Sequence, residues 1–390
     1  MLALDAETAS SSGQFTLALE LEKEGSYEIT LTASKEGMND ASLSGAIAYS
    51  AKTLPVSGIA ENKTDEAVLN IFTWEGYIDY ETVIKPFEQE TGIKVNYATF
   101  SSNEEMYEKL SAVNGGDYDV VLASDYMLAA SREAGLMQKI DKDIVTNYDN
   151  LDPTFMSQSF DPDNEYVVPY VCGSPLLIYD PSAVDCEITG LNSLWDPSLK
   201  DSIGLIDDAR VTIGMVLLSM GESMNTTDDE VLAKAAEKLD ALKDNVHILE
   251  YENLHNYILS GDISIAYTFT PFIVLSLDAN PDLQIAFPEG TMGFGVDACF
   301  IPVNAPHAKN ANLFLQFLLR PEIGASITEW QHYCCTNIPA REILGESYTE
   351  NPVFSGIAER MGDTEYITYS TPENEQKYQD IWTKFKLSLQ

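Results

Sequence analysis

At 390 residues the chain is too long for one ordinary hydrophobic core, so two or three domains are expected. Hydrophobic residues at 45% and charged residues at 22% describe a globular protein in water, and no apolar run reaches the roughly 18 residues that a membrane span needs. Lys+Arg 22 against Asp+Glu 62 leaves a formal charge of −40, which argues against nucleic acid and anionic membranes as partners and favours cationic ones.

Residues 1–66 differ from the rest. Phe15, Leu17, Leu19 and Leu21 alternate with polar or small residues, and a Lys23-Glu24-Gly25 turn follows. Tyr27, Ile29 and Leu31 alternate again, and Leu43 to Tyr49 makes a weaker third run, so a β meander is expected. It is too short for a seven-stranded sandwich. It resembles the closing strands of bacterial immunoglobulin-like modules, which implies an extracellular spacer, with Ser57 to Asp65 as a polar linker.

From Ala67 the pattern becomes β-α-β-α. The run Leu69-Asn70-Ile71-Phe72-Thr73-Trp74 is almost continuously apolar, as suits a parallel strand buried on both faces. Gly76 breaks it, and Asp79 is placed to cap a helix over 80–90 that stops at Gly92. Strand 93–98, helix 103–113 behind Ser102, and strand 118–123 ending in Ser124-Asp125-Tyr126 continue the alternation. Helix 127–134 and strand 137–140 follow, and such alternation favours a parallel sheet. Trp74, Tyr77, Ser124, Asp125 and Tyr126 thus fall at strand carboxyl ends, where open α/β sheets bind ligands.

After a Pro- and Asp-rich passage, strands 166–172 and 174–179 carry the chain into a second lobe. There, strand 202–206 ends at Asp207-Asp208, and helix 229–242, strand 247–250, helix 253–259 and strand 264–268 form another alternating set, with Tyr267 near its end. Asp297-Ala298-Cys299-Phe300-Ile301-Pro302 reads as a short strand opened by a carboxylate. Helices 308–319, 321–330 and 375–387 complete the chain. Two α/β lobes, with the chain crossing between them near 171–174, 295–297 and after Arg341, describe a hinged binding protein.

Cys172, Cys186, Cys299, Cys334 and Cys335 show neither a C-x-x-C spacing nor a metal-ligand pattern with histidine, so no disulfide framework, metal or cofactor is expected, and the adjacent pair Cys334-Cys335 reads as buried thiols. No Gly-x-Ser-x-Gly, His-Glu-x-x-His, P-loop or Gly-x-Gly-x-x-Gly motif is present, and His247, His255, His307 and His332 are scattered, so no enzyme is expected. The Met-Leu-Ala-Leu-Asp start lacks a basic and apolar signal pattern, which fits a cytosolic protein or a trimmed exported one.

A family resemblance rests on Phe72-Thr73-Trp74-Glu75-Gly76-Tyr77, Thr91-Gly92-Ile93-Lys94-Val95, Ser102 to Leu110, Tyr118-Asp119-Val120-Val121, Asn150-Leu151-Asp152-Pro153, Pro169-Tyr170, Ile206-Asp207-Asp208-Ala209-Arg210 and Phe317-Leu318-Leu319-Arg320-Pro321. Through these motifs, residues 68–388 resemble the substrate-binding proteins of polyamine ABC transporters, which bind spermidine or putrescine. The resemblance implies an α/β, two-lobed periplasmic-binding-protein-like fold of type II with a hinged cleft, preceded by the short all-β segment. It implies lobes at 67–173 plus 297–341 and at 174–296 plus 342–390. It also implies an extracellular, cell-surface or periplasmic location, a polyamine ligand, a membrane permease as partner, and a monomer.

Carried over residue by residue, the resemblance makes Trp74, Tyr77, Ser124, Tyr126, Asp208, Tyr267, Asp297 and Tyr333 ligand-binding residues, with Tyr267 where the family usually has tryptophan. Gly76 and Val211 stand where spermidine binders are acidic, and Gly295 where they carry a stacking tryptophan. Glu75 and Asp125 are neighbouring carboxylates available as substitutes, so the particular polyamine stays open. The chemistry is consistent on its own terms. Alkylammonium groups need carboxylates for their charge and aromatic faces for their methylenes, and a buried charge must be paired. A different organic cation, and an adhesion protein without a small ligand, are the alternatives.

Overall fold

The computed structural model describes residues 25–33, 41–49, 67–368 and 370–389. The chain divides into two compact units, Met1–Gly58 and Ile59–Gln390. In the first, strands β1 (Gly25–Ala33) and β2 (Ala41–Tyr49) pair antiparallel, Gly25 opposite Tyr49 and Ala33 opposite Ala41. The expected first run, Phe15 to Leu21, and the expected linker lie outside the described residues.

The second unit holds two sheets. The first contains β3 (Val68–Trp74), β4 (Lys94–Phe100), β5 (Val120–Ser124), β6 (Met137–Gln138) and β7 (Val167–Gly173). The second contains β8 (Leu176–Tyr179), β9 (Ile203–Leu205), β10 (Val246–Leu249), β11 (Ile265–Thr268) and β12 (Gln284–Ala286), in spatial order β10-β9-β11-β8-β12. The chain then returns to the first sheet as β13 (Met292–Pro302), with β14 (Cys334–Cys335) and β15 (Thr364–Tyr366) added at its margins.

The strand β3 is buried on both faces, as its composition requires: Leu69 and Ile71 enter one apolar cluster and Phe72 the other. The β3–β4 and β3–β5 pairs are parallel. The sheets are mixed rather than wholly parallel, because β13 runs antiparallel to both β5 and β7, and β8 antiparallel to β11 and β12. The βα alternation sets direction only for strands joined by crossover helices. The strands β8 and β13 enter their sheets straight from the other lobe and are free of that rule.

The expected helix over 80–90 opens as a π turn, Tyr80–Ile84, before the α-helix Lys85–Thr91. Pro86 lacks the N–H that a continuous α-helix would use, and Ile84 N–H reaches back to the Asp79 carbonyl at 3.2 Å. Gly92 ends the helix at φ 70°.

Between the lobes, Ser174 is buried and tied to both sides of the crossing. Its Oγ donates to the Gly293 carbonyl at 2.6 Å, and its N–H donates to Thr270 Oγ1 at 3.0 Å. Backbone on the two connecting segments is therefore held together where bending is expected.

Candidate ligand site

The cleft between the two sheets encloses a cavity of about 520 Å³, within the range of small-molecule sites. Its first wall is built by the loop after β3. Gly76 sits at φ 68°, a left-handed conformation that costs glycine nothing, and this turns Tyr77 back beside Trp74. The two rings lie 5.0 Å apart at 58°, and Trp74 stands edge-on to Phe100 at 4.8 Å. Tyr97 Oη donates to the Trp74 carbonyl and accepts from Ile78 N–H, each at 3.2 Å, while Tyr170 Oη donates to the Tyr77 carbonyl at 3.2 Å. The loop is preorganised before any ligand arrives.

Asp297 faces this wall. It lies in the middle of β13, not at a strand's start as the sequence suggested, opposite Ser124 of β5 and Val171 of β7. The strand begins earlier, at Met292, and runs through Gly293 and Gly295, which carry no side chain to mark it as a strand in the sequence. A register shift against β7 falls between Asp297 and Ala298, the kind of bulge that re-aims a side chain. The Tyr77 hydroxyl donates to Asp297 Oδ2. Burial pushes the Asp297 carboxyl up, while the Tyr77 and Ser124 hydroxyls oppose that rise. Burial first, and Asp297 next, hold the Tyr77 phenol far above its ordinary value, so it stays a donor.

Asp125, directly after Ser124, is only 4% exposed. Its Oδ1 accepts from Tyr126 N–H at 2.7 Å and its Oδ2 from Val296 N–H at 3.3 Å. Burial, then the Asp297 charge, push its carboxyl up to about 8. It is a buried acid inside the cavity and not a rim charge.

A second acidic group lies near Tyr126. Asp208 caps the helix Ala209–Ser219 through Val211 N–H at 2.9 Å and also lines the cavity. Burial raises its carboxyl, and Glu104 adds to the rise. Asn103 Nδ2 donates to Ser124 Oγ at 3.2 Å and to Tyr126 Oη at 3.1 Å, and Tyr126 Oη donates to Glu104 Oε1 at 3.3 Å. Arg210, which also lines the cavity, is engaged elsewhere: its Nη1 bonds both Glu375 oxygens at 2.6 Å. Among the described residues no lysine or arginine forms an ion pair with Asp125, Asp208 or Asp297.

Tyr333 closes the floor after the helix Pro321–Gln331, where His332 turns the chain at φ 54°. Gly173 makes way for it, since a Cβ there would lie 2.8 Å from the Tyr333 ring and 2.6 Å from Thr270 Oγ1.

Of the residues expected to line a site, Trp74, Tyr77, Ser124, Asp125, Tyr126, Asp208, Asp297 and Tyr333 share this one cavity. Tyr267 does not. It points inside β11 at 3% exposure, packed in the core, and Phe269, just past the strand's end, lines the cavity instead. Phe269 packs edge-to-face on Tyr251 at 5.5 Å, and Tyr251 follows β10 in the same way. Asn103, Glu104, Tyr251, Phe269, Trp330 and Gln331 line the cavity without having been singled out. The same signal, a residue at or just beyond a strand's carboxyl end, marks Trp74, Tyr126, Tyr251 and Phe269 alike.

Comparison with known proteins places the architecture. Residues 82–354 match the family described as bacterial extracellular solute-binding protein. The spermidine/putrescine-binding periplasmic protein of Salmonella typhimurium is 35% identical over 286 residues, which cover 73% of this chain and 82% of that one. Its counterpart from Escherichia coli is 33% identical over 308 residues, 79% of this chain and 88% of the relative. The crystal structure of a spermidine/putrescine ABC transporter substrate-binding protein from Streptococcus pneumoniae superposes with a TM-score of 0.74 at 31% identity, covering 83% of this chain and 99% of the other.

Proposed function

Since this chain belongs to the bacterial extracellular solute-binding protein family, we propose that it captures spermidine or putrescine in its cleft and delivers the amine to the permease of an ABC transporter. It is a transport binding protein, not an enzyme. The observation that carries the ligand class is the pairing of Asp297 with the Tyr77 hydroxyl beside the Trp74 ring, in a cavity whose buried carboxylates have no protein cation as partner among the described residues. An alkylammonium supplies that missing charge; its methylenes pack on the aromatic faces, and its charged end gains roughly 0.5–2 kcal/mol per cation–π contact.

The ligand residues in this reading are Trp74, Tyr77, Ser124, Asp125, Tyr126, Asp208, Asp297 and Tyr333. The lobes comprise 67–173 plus 297–341 and 174–296 plus 342–390, with 1–66 as a spacer. The protein works outside the cell membrane as a monomer, held at the surface or free in the periplasm. Among the described residues no helix is long and apolar enough to cross a membrane. A charge of −40 repels nucleic acid and draws cations by long-range steering.

Putrescine or spermidine at a hundredfold excess over Kd should stabilise the fold by about 2.7 kcal/mol and raise Tm accordingly. No shift at millimolar amine, with no heat in calorimetry, overturns the polyamine reading. A different organic cation is the second reading. It is favoured by the gap at Gly295, where an added Cβ would meet only Asp125 Oδ2, at 3.9 Å.

A further inference from the structure

Resting on the ligand reading above, we propose that Asp125 is a second cation-binding carboxylate, that it holds a proton beside the Asp297 carboxylate while no cation is bound, and that an entering primary ammonium group displaces this proton. The geometry begins with the backbone. Asp297 pairs in register with Ser124, and Asp125 is the next residue, so one strand pair brings two acids to the same end of the cavity. Asp125 reaches across to β13 itself, where its Oδ2 accepts from Val296 N–H at 3.3 Å.

Gly295 makes this acid usable. A Cβ at 295 would stand 3.9 Å from Asp125 Oδ2 with no other atom within 4 Å, so the glycine leaves an opening between that oxygen and the cavity. A larger side chain at 295 would cover it. The opening and the buried acid are complementary: a cation that enters the gap finds two carboxylates, and a primary ammonium has several N–H donors to share between them.

Without a ligand, protein cations balance the pair only weakly. Arg210 faces Asp125 from the second lobe, but its guanidinium is bound to Glu375 at 2.6 Å. Tyr366 faces Asp125 from β15, and Tyr77, Tyr251, Tyr333 and Cys299 stand around Asp297. All five are neutral groups that give the pair hydrogen bonds or burial but no charge. Two N–H donors and the start of the helix Asp125–Glu133 favour the Asp125 anion. Burial and the Asp297 charge outweigh them and hold the acid near 8. Near neutral pH the empty pair therefore keeps a proton that the ammonium must expel, much as two carboxylates sharing one site cannot both ionise.

The test is calorimetry with putrescine at pH 6.5 in buffers of different ionisation enthalpy, on the full chain. About one proton should be released per ligand, and affinity should rise up to roughly tenfold per pH unit until about pH 8, then level off. Asp125→Asn should abolish the release and flatten the pH profile. Gly295→Leu should do the same by covering the acid, and it serves independently should the first variant not fold. Hexamethylated putrescine, which keeps both charges but has no N–H, should bind at least tenfold more weakly. Tight amine binding with no proton release and a flat pH profile overturns this inference and leaves the polyamine reading standing. Absence of amine binding at every pH overturns both.

Discussion

Replacing Asp297 with asparagine keeps the shape of the side chain and removes its charge. In the empty protein the change is mild, because the Tyr77 and Ser124 hydroxyls can donate to an amide oxygen as they do to the carboxylate. With ligand bound, an ammonium group loses an ionic partner beside the Trp74 and Tyr77 rings. Truncating one partner of a buried, hydrogen-bonded charge pair costs about 2–5 kcal/mol. The arrangement of the cavity selects the lower part of that range. Part of the rise at Asp125 comes from the Asp297 charge, so removing that charge lets Asp125 ionise more easily and answer the ammonium itself. The expected loss is about 2–3 kcal/mol, or roughly 30- to 150-fold in Kd. Calorimetry with putrescine at fixed ionic strength measures it, with the Tm of the empty variant as a check on folding. A loss below threefold in a well-folded variant would show that the charge-pairing site lies elsewhere.

Tyr267→Phe should leave Kd within about twofold, because the ring is packed inside β11 at 3% exposure, whereas Tyr251→Ala should weaken binding by about 1 kcal/mol through lost cation–π contact. Stability of the empty protein should fall as pH rises from about 4 toward 8: Asp125 is raised in the folded state, so its contribution is complete below its unfolded value and is lost as pH passes its folded one. Asp125→Asn should flatten that slope in thermal scans. A chain beginning at Thr64 should keep its amine affinity, and a tenfold loss would mean that residues 1–66 support the binding lobes. Small-angle scattering should show a smaller radius of gyration with ligand, from closure about the segments at Ser174 and Gly293. An unchanged radius despite confirmed binding would reject closure.

Much of the first lobe was legible because its signals are local. The apolar run at Leu69–Thr73, the strand break at Gly76 and the caps at Asp79 and Ser102 each follow from residues within a few positions, and all lie where the sequence placed them. Strand direction was not legible wherever a strand comes from the other lobe. Nothing within β13 tells that it will run antiparallel between β5 and β7, since that is decided by where the chain was before it returned. Tyr267 was misjudged for a related reason. The strand β11 is buried on both faces, so Tyr267 packs in the core, and the cavity begins only at Phe269, past the strand's end.

The acids of the cleft show a deeper limit. From sequence, Asp208 admits two readings, helix cap or ligand residue, and in the structure it holds Val211 N–H while lining the cavity. From sequence Asp125 is a carboxylate at a strand's end, open to a ligand, and in the structure it begins the helix Asp125–Glu133, where an exposed carboxylate is ordinarily most comfortable. Its actual character comes from β13, far away in the chain: Val296 supplies an N–H, Asp297 supplies a repelling charge, and Gly295 withholds the side chain that would have covered it. Three consecutive residues thereby turn an ordinary helix-start acid into a buried one. Its behaviour can be derived only once the strand pairing that brings Asp297 opposite Ser124 is known.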